Sequence, residues 1–201
     1  MLKVLALCAV LLLGFAHTAQ AEWQFAPMAG FTMFGKASLV DLEQATGDRH
    51  AHLGASVAFL GGGILGVEAL SIWTPGFFDK SDPEVDLIES SRTLVVMGNV
   101  VLTTPRRWTE YSLRPFVSGG FGLMHASTTE IATGPGILPI NVNVVGFNVG
   151  GGAVGFLTNR TGLRFDVRYH STLNRLDEEA PAFGPVHLRY VTASIGVVFR
   201  R

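Results

Sequence analysis

The chain has 201 residues, 48% hydrophobic and only 15% charged, with 15 basic against 16 acidic side chains. Soluble domains carry about a quarter of charged residues, and a balanced chain without a basic run offers no nucleic-acid surface. After the first two dozen residues no run of about 20 apolar residues, the length of a membrane-crossing helix, appears; the most apolar later stretch, Leu53–Trp73, is broken by Gly61-Gly62-Gly63 and carries Glu68.

Residues 1–21 read as a secretory signal peptide. Lys3 supplies the positive start, Val4–Phe15 is almost wholly apolar, and Ala19-Gln20-Ala21 places small residues where a signal peptidase cuts. Cleavage is expected before Glu22, leaving residues 22–201 as one domain. Cys8, the one cysteine, falls inside the removed segment. The mature chain then has no disulfide, thiolate metal site or cysteine nucleophile.

The remainder divides into β-branched, aromatic and glycine-rich stretches separated by polar connectors. The expected strands are Trp23–Phe34, His50–Leu60, Ile64–Trp73, Arg92–Thr103, Ser112–Ala126, Asn141–Leu157, Leu163–His170 and Leu188–Phe199. The intervening connectors alternate in length. Residues 35–49, 74–91, 127–140 and 171–187 are long. Gly61-Gly62-Gly63 and the Asn-Arg-Thr-Gly turn within 158–162 are short, and 104–111 is intermediate. Outer-membrane barrels pair long extracellular loops with short periplasmic turns. Nothing in a soluble sandwich sorts its loops in this way.

Side chains along a strand alternate faces. Leu163, Phe165, Val167 and Tyr169 oppose Arg164, Asp166, Arg168 and His170. Ala51, Leu53, Ala55, Val57 and Phe59 oppose His50, His52, Gly54, Ser56 and Ala58, and Val191, Ala193, Ile195, Val197 and Phe199 oppose Thr192, Ser194 and Gly196. Trp23, Phe25, Trp73, Trp108 and Tyr111 fall near strand ends, where interfacial aromatic girdles sit. The fold class expected is all-β: an eight-stranded antiparallel up-and-down transmembrane barrel in a bacterial outer membrane.

This pattern resembles the small outer-membrane β-barrel family typified by the transmembrane domains of OmpA and OmpX-like proteins. The last strand, Thr192-Ala193-Ser194-Ile195-Gly196-Val197-Val198-Phe199, is similar to the terminal strand read by the barrel assembly machinery. The resemblance implies that Thr192, Ser194, Val197 and Phe199 carry the signal. Ser194 stands where glycine is usual, and Arg200-Arg201 follow the aromatic that normally comes last. The peptidoglycan-binding domain of full-length OmpA relatives is not expected.

An interior charge network is expected from Arg164, Asp166 and Arg168 with Glu68 and Arg114. An eight-stranded barrel is just wide enough to be filled by side chains, so opposite charges must meet there. A polar plug that fixes strand register is favoured over a gate or narrow conduction path. His170 invites comparison with lipid A deacylases, whose His-x-Ser places base and nucleophile on one face. Here Ser171 is adjacent and faces the other way, Thr172 has the right spacing but the wrong nucleophile, and Glu178 and Glu179 are candidate orienters. His50-x-His52 shares a face without a third metal ligand. Gly119-Gly120-Phe121-Gly122 and Gly150-Gly151-Gly152 fall inside strands and relieve crowding instead of binding phosphate.

No catalytic residue, metal or cofactor is therefore assigned. The leading expectation is a monomeric structural or surface-interaction barrel, in contact with outer-membrane lipids and the barrel assembly machinery, whose loops meet an extracellular ligand or protein. A narrow porin-like or hydrophobic-solute conduit is the second reading, and a lipid A-modifying esterase the third.

Overall fold

Period-two alternation commits each stretch to a strand with one face for lipid and one for the interior, and eight such strands close on themselves. The computed structural model describes residues 22–37, 49–61, 63–77, 90–105, 113–129, 141–173 and 188–201. The expected signal peptide, most of the long connectors, Trp108, Tyr111, Glu178 and Glu179 lie outside these described residues.

The strands are β1 (Glu22–Ala37), β2 (His50–Leu60), β3 (Leu65–Pro75), β4 (Ser90–Thr103), β5 (Leu113–Thr129), β6 (Asn141–Phe156), β7 (Thr161–Thr172) and β8 (Leu188–Arg200). They form a closed barrel in sequence order, and each pairs antiparallel with its neighbours. Closure is made by β1 against β8, with Phe25 opposite Phe199 and Phe31 opposite Ala193. At the rim, Trp23 and Arg201 exchange both backbone hydrogen bonds, at 3.1 and 2.9 Å.

Several boundaries differ from those expected. β1 runs three residues past Phe34, β5 continues through Ser127-Thr128-Thr129, and β4 begins at Ser90. Polar residues at these ends lower strand propensity, but ladder pairing carries the strands beyond the apolar band. Thr161 and Gly162 belong to β7 and not to the preceding turn. That turn is Leu157–Arg160, closed by hydrogen bonds from Leu157 N and Thr158 N to the Thr161 carbonyl, each 3.0 Å. The Thr158 hydroxyl accepts from Arg160 N and Thr161 N, which fixes the tight reversal.

The outer wall carries Phe25, Leu53, Val96, Val117, Phe121, Leu123, Val149, Phe165, Val167 and Ile195, all well exposed to the surroundings. In water each would forfeit about 25 cal/mol per Å² of apolar surface, and soluble proteins rarely show contiguous patches beyond a few hundred Å². A continuous apolar exterior of this kind is stable only against lipid. The inner wall is mixed. Charged and polar side chains of β7 and β8 face Leu70, Ile72, Val95, Met97 and Met124 of β3, β4 and β5. In β3 and β4 the inward row mixes Glu68, Thr74, Thr93, Asn99 and Thr103 with these apolar side chains, so alternation is plainer in β7.

Candidate functional site

β7 delivers Arg164, Asp166 and Arg168 to the interior because every second residue of a strand shares a face. All three are almost fully buried. Room for them comes from β6. Gly152 stands opposite Asp166 and Gly150 opposite Arg168; a Cβ on Gly150 would press on the Arg168 backbone and Cγ. The glycines expected to relieve crowding therefore have a defined task at these two positions.

Glu68, from β3, meets this row across the lumen. Arg168 Nη2 donates to Glu68 Oε2 at 2.7 Å and to Asp166 Oδ2 at 2.8 Å, while its Nε donates to Asp166 Oδ1 at 2.7 Å. Arg164 Nη2 lies 2.6 Å from both Glu68 Oε1 and Asp166 Oδ2. Arg164 Nη1 donates to Ser56 Oγ at 3.0 Å, and its guanidinium sits 4.5 Å above the Phe116 ring centre. Asn99 donates to Glu68 Oε2 at 3.1 Å, and Asn148 to Asn99 Oδ1 at 2.7 Å. Two cations and two carboxylates form one neutral cluster, the condition under which buried charges are tolerated.

Of the five residues expected in the network, the structure brings together Glu68, Arg164, Asp166 and Arg168. Arg114 lies nearer the short-turn end, where its ion partner is Glu22 at 3.4 Å and its Nη2 donates to the Thr104 carbonyl at 3.3 Å. Arg114 and Arg164 still line one shared cavity of about 20 Å³, room for roughly one water molecule. Sequence reasoning missed Glu22, Asn99 and Asn148. Their inward parity was available, but which strands meet across the lumen was not.

A second polar layer lies toward the long-connection end. His52 is hydrogen-bonded through Nδ1 to Thr32 Oγ1 at 3.2 Å and through Nε2 to Ser194 Oγ at 2.9 Å. Gly30 lies between His52 and Ser194 in the ladder, and a Cβ there would collide with the Ala193 carbonyl and the Ser194 backbone. His170 Nε2 pairs with Thr192 Oγ1 at 3.2 Å. Its ring stacks on Tyr190 at 5.0 Å, and Tyr190 meets Phe77 edge-on at 5.3 Å.

Two hydroxyls follow His170 in the chain. Ser171 Oγ donates to the Thr172 carbonyl, and Thr172 Oγ1 accepts from Leu188 N. His50 is half-buried at the rim, near the Phe77 ring, whereas His52 is buried. Among the described residues no group of three His, Cys, Asp or Glu side chains could hold a metal.

Of the residues expected in the assembly signal, Thr192 faces the lumen with its hydroxyl on His170, and Ser194 turns to His52. Val197 and Phe199 lie on the exposed outer face.

Against solved structures the chain is similar to the N-terminal barrel of Pseudomonas aeruginosa OprF, at 14% identity and TM-score 0.53, covering 92% of this chain and 100% of that one. It is similar to a major outer membrane protein of Thermus thermophilus, at 12% identity and TM-score 0.56, over 90% and 99% of the two chains. It is also similar to Yersinia pestis Ail in complex with the heparin analogue sucrose octasulfate, at 14% identity and TM-score 0.52, over 90% and 99%. The chain is a small eight-stranded outer-membrane-type β-barrel. The shared fold and the apolar exterior assign it to the bacterial outer membrane. No protein-family model matches the sequence, and no curated protein is similar to it.

Proposed function

We propose that this barrel is a non-conducting membrane scaffold whose long connections form its working surface, contacting an extracellular ligand or protein. The observation that carries the reading is the packed lumen. The Glu68–Arg164–Asp166–Arg168 cluster ties β7 to β3 across the interior, and the cavity beside it has room for about one water. Tyr190, His170 and Phe77 fill the lumen above it. Eight-stranded barrels are commonly filled in this way, and a filled barrel does its work at its loops.

Cationic ligands are the class to assay first. The connectors 78–89 and 174–187 carry eight acidic side chains against Lys80 and Arg175, while Arg49, Arg92 and Arg189 are exposed at the long-connection rim. The sulfated ligand held by the Yersinia barrel named above supplies the anionic control. The test compares the intact protein with a variant whose connectors 78–89 and 174–187 are replaced by short turns. Binding of a polycationic peptide is expected for the intact protein and not for the variant, with both silent in planar bilayers. Discrete conductance steps from the intact protein would overturn the scaffold reading.

A further inference from the structure

Arg200 and Arg201 follow the aromatic that closes the terminal strand, and the scaffold reading gives them no task. The structure separates them. Arg200 turns back under the barrel: its Nε donates to the Asn159 carbonyl at 2.5 Å, its Nη1 lies 3.8 Å from Glu22, and its guanidinium covers the Phe156 ring at 4.0 Å. Arg201 is exposed. Its backbone exchanges both hydrogen bonds with Trp23, and directly opposed residues of an antiparallel pair project to one face. The Arg201 side chain therefore leaves the wall beside the outward-facing Trp23 indole.

A groove opens at this point on the outer wall. Trp23, Phe25, Val57 and Phe199 line it, with Arg200 and Arg201 at its edge. Its walls are apolar and exposed to the surroundings. It lies at the short-turn end, which in this class of barrel is the periplasmic end.

We propose that this groove binds one anionic phospholipid of the periplasmic leaflet, its phosphate on Arg201 and an acyl chain along Phe25, Val57 and Phe199. A guanidinium matches phosphate oxygens in a bidentate, charge-assisted geometry. An indole is suited to the same depth, its ring in the apolar zone and its N–H toward the headgroups. A zwitterionic headgroup presents the same phosphate but brings its own cation, so the site discriminates by net charge.

Trp23 is its own reporter. In a Trp73→Phe, Trp108→Phe background it is the remaining one of three tryptophans. The protein is reconstituted into phosphatidylcholine bilayers containing the same small mole fraction of either brominated phosphatidylglycerol or brominated phosphatidylcholine. Trp23 fluorescence is expected to be quenched more by the anionic lipid, with a relative binding constant of about fivefold for one interfacial arginine. Arg201→Gln should bring the ratio to one, Arg201→Lys should keep most of it, and both should retain the gel shift on boiling that marks a folded barrel. Equal quenching by the two lipids in the parent overturns the site. So does a preference that survives Arg201→Gln, or one that disappears only with Arg160→Gln in the adjacent turn.

Discussion

Asp166 accepts hydrogen bonds from both arginines of its own strand. Without it, Arg164 and Arg168 keep only Glu68 as a buried counter-charge. Breaking a buried ion pair by removing one partner costs about 3–5 kcal/mol, so Asp166→Ala should lower the urea midpoint of the folded barrel by a matching amount. Bilayer conductance should stay at background, because the loss of one short side chain leaves both arginines and the Phe116 ring in the lumen. A large drop in stability with a silent bilayer record supports the plug; unchanged stability with a new conductance would make the cluster a gate. Val167 tests the opposite face. It is exposed on the outer wall, and a charged side chain facing lipid is destabilising there, by about 2–4 kcal/mol for Arg or Lys at the midplane and less for Asp. Val167→Asp should therefore reduce the membrane-inserted fraction, measured by urea-resistant membrane fractionation.

Among the elements, β8 carries two duties. Its inward row supplies Tyr190, Thr192 and Ser194 to the upper polar layer, and its outward row runs through Ile195, Val197 and Phe199. Replacing Phe199 with Asp should cut assembly in cells far more than deleting Arg200 and Arg201, because the change strikes the lipid-facing row opposite Phe25. Equal assembled protein from the Phe199→Asp and wild-type genes, scored by heat-modifiable migration, would show that the signal lies elsewhere. The same element shows what the sequence could and could not disclose. The inward parity of Ser194 was legible from a two-residue period. Its partner was not: His52 lies 142 positions away and reaches it across Gly30. Strand tilt and shear decide such meetings, and a linear pattern contains neither. β7 was the easiest strand to read, since charge and apolarity alternate without exception from Leu163 to His170. Glu22 was passed over as the residue after the expected cleavage point, yet it accepts a hydrogen bond from Gln24 and pairs with Arg114. Thr161 and Gly162 looked like turn residues because local composition outweighed their pairing with Phe199 and Val198.

At the scale of the whole molecule, loop sorting and the even strand count carried the architecture, because both follow from a chain crossing a bilayer back and forth. The intact protein should fractionate with membranes and migrate differently in gels before and after boiling. Recovery in the soluble periplasmic fraction would contradict the apolar exterior. Mature protein sequenced from such membranes should begin at Glu22.

The seam between β1 and β8 has a consequence for biosynthesis. Trp23 and Arg201 are hydrogen-bonded neighbours although they lie at opposite ends of the barrel sequence, so the ring cannot be sealed before β8 is available to pair. Until the final strand emerges, β1 has an open edge, and such edges recruit other chains. Pairings between remote positions are also slow to form. A chain that lacks β8 would therefore keep two unpaired borders, on β1 and β7, whereas the eight-stranded chain pairs both in one closure. Only a polypeptide that includes its eighth strand can present a surface without edges.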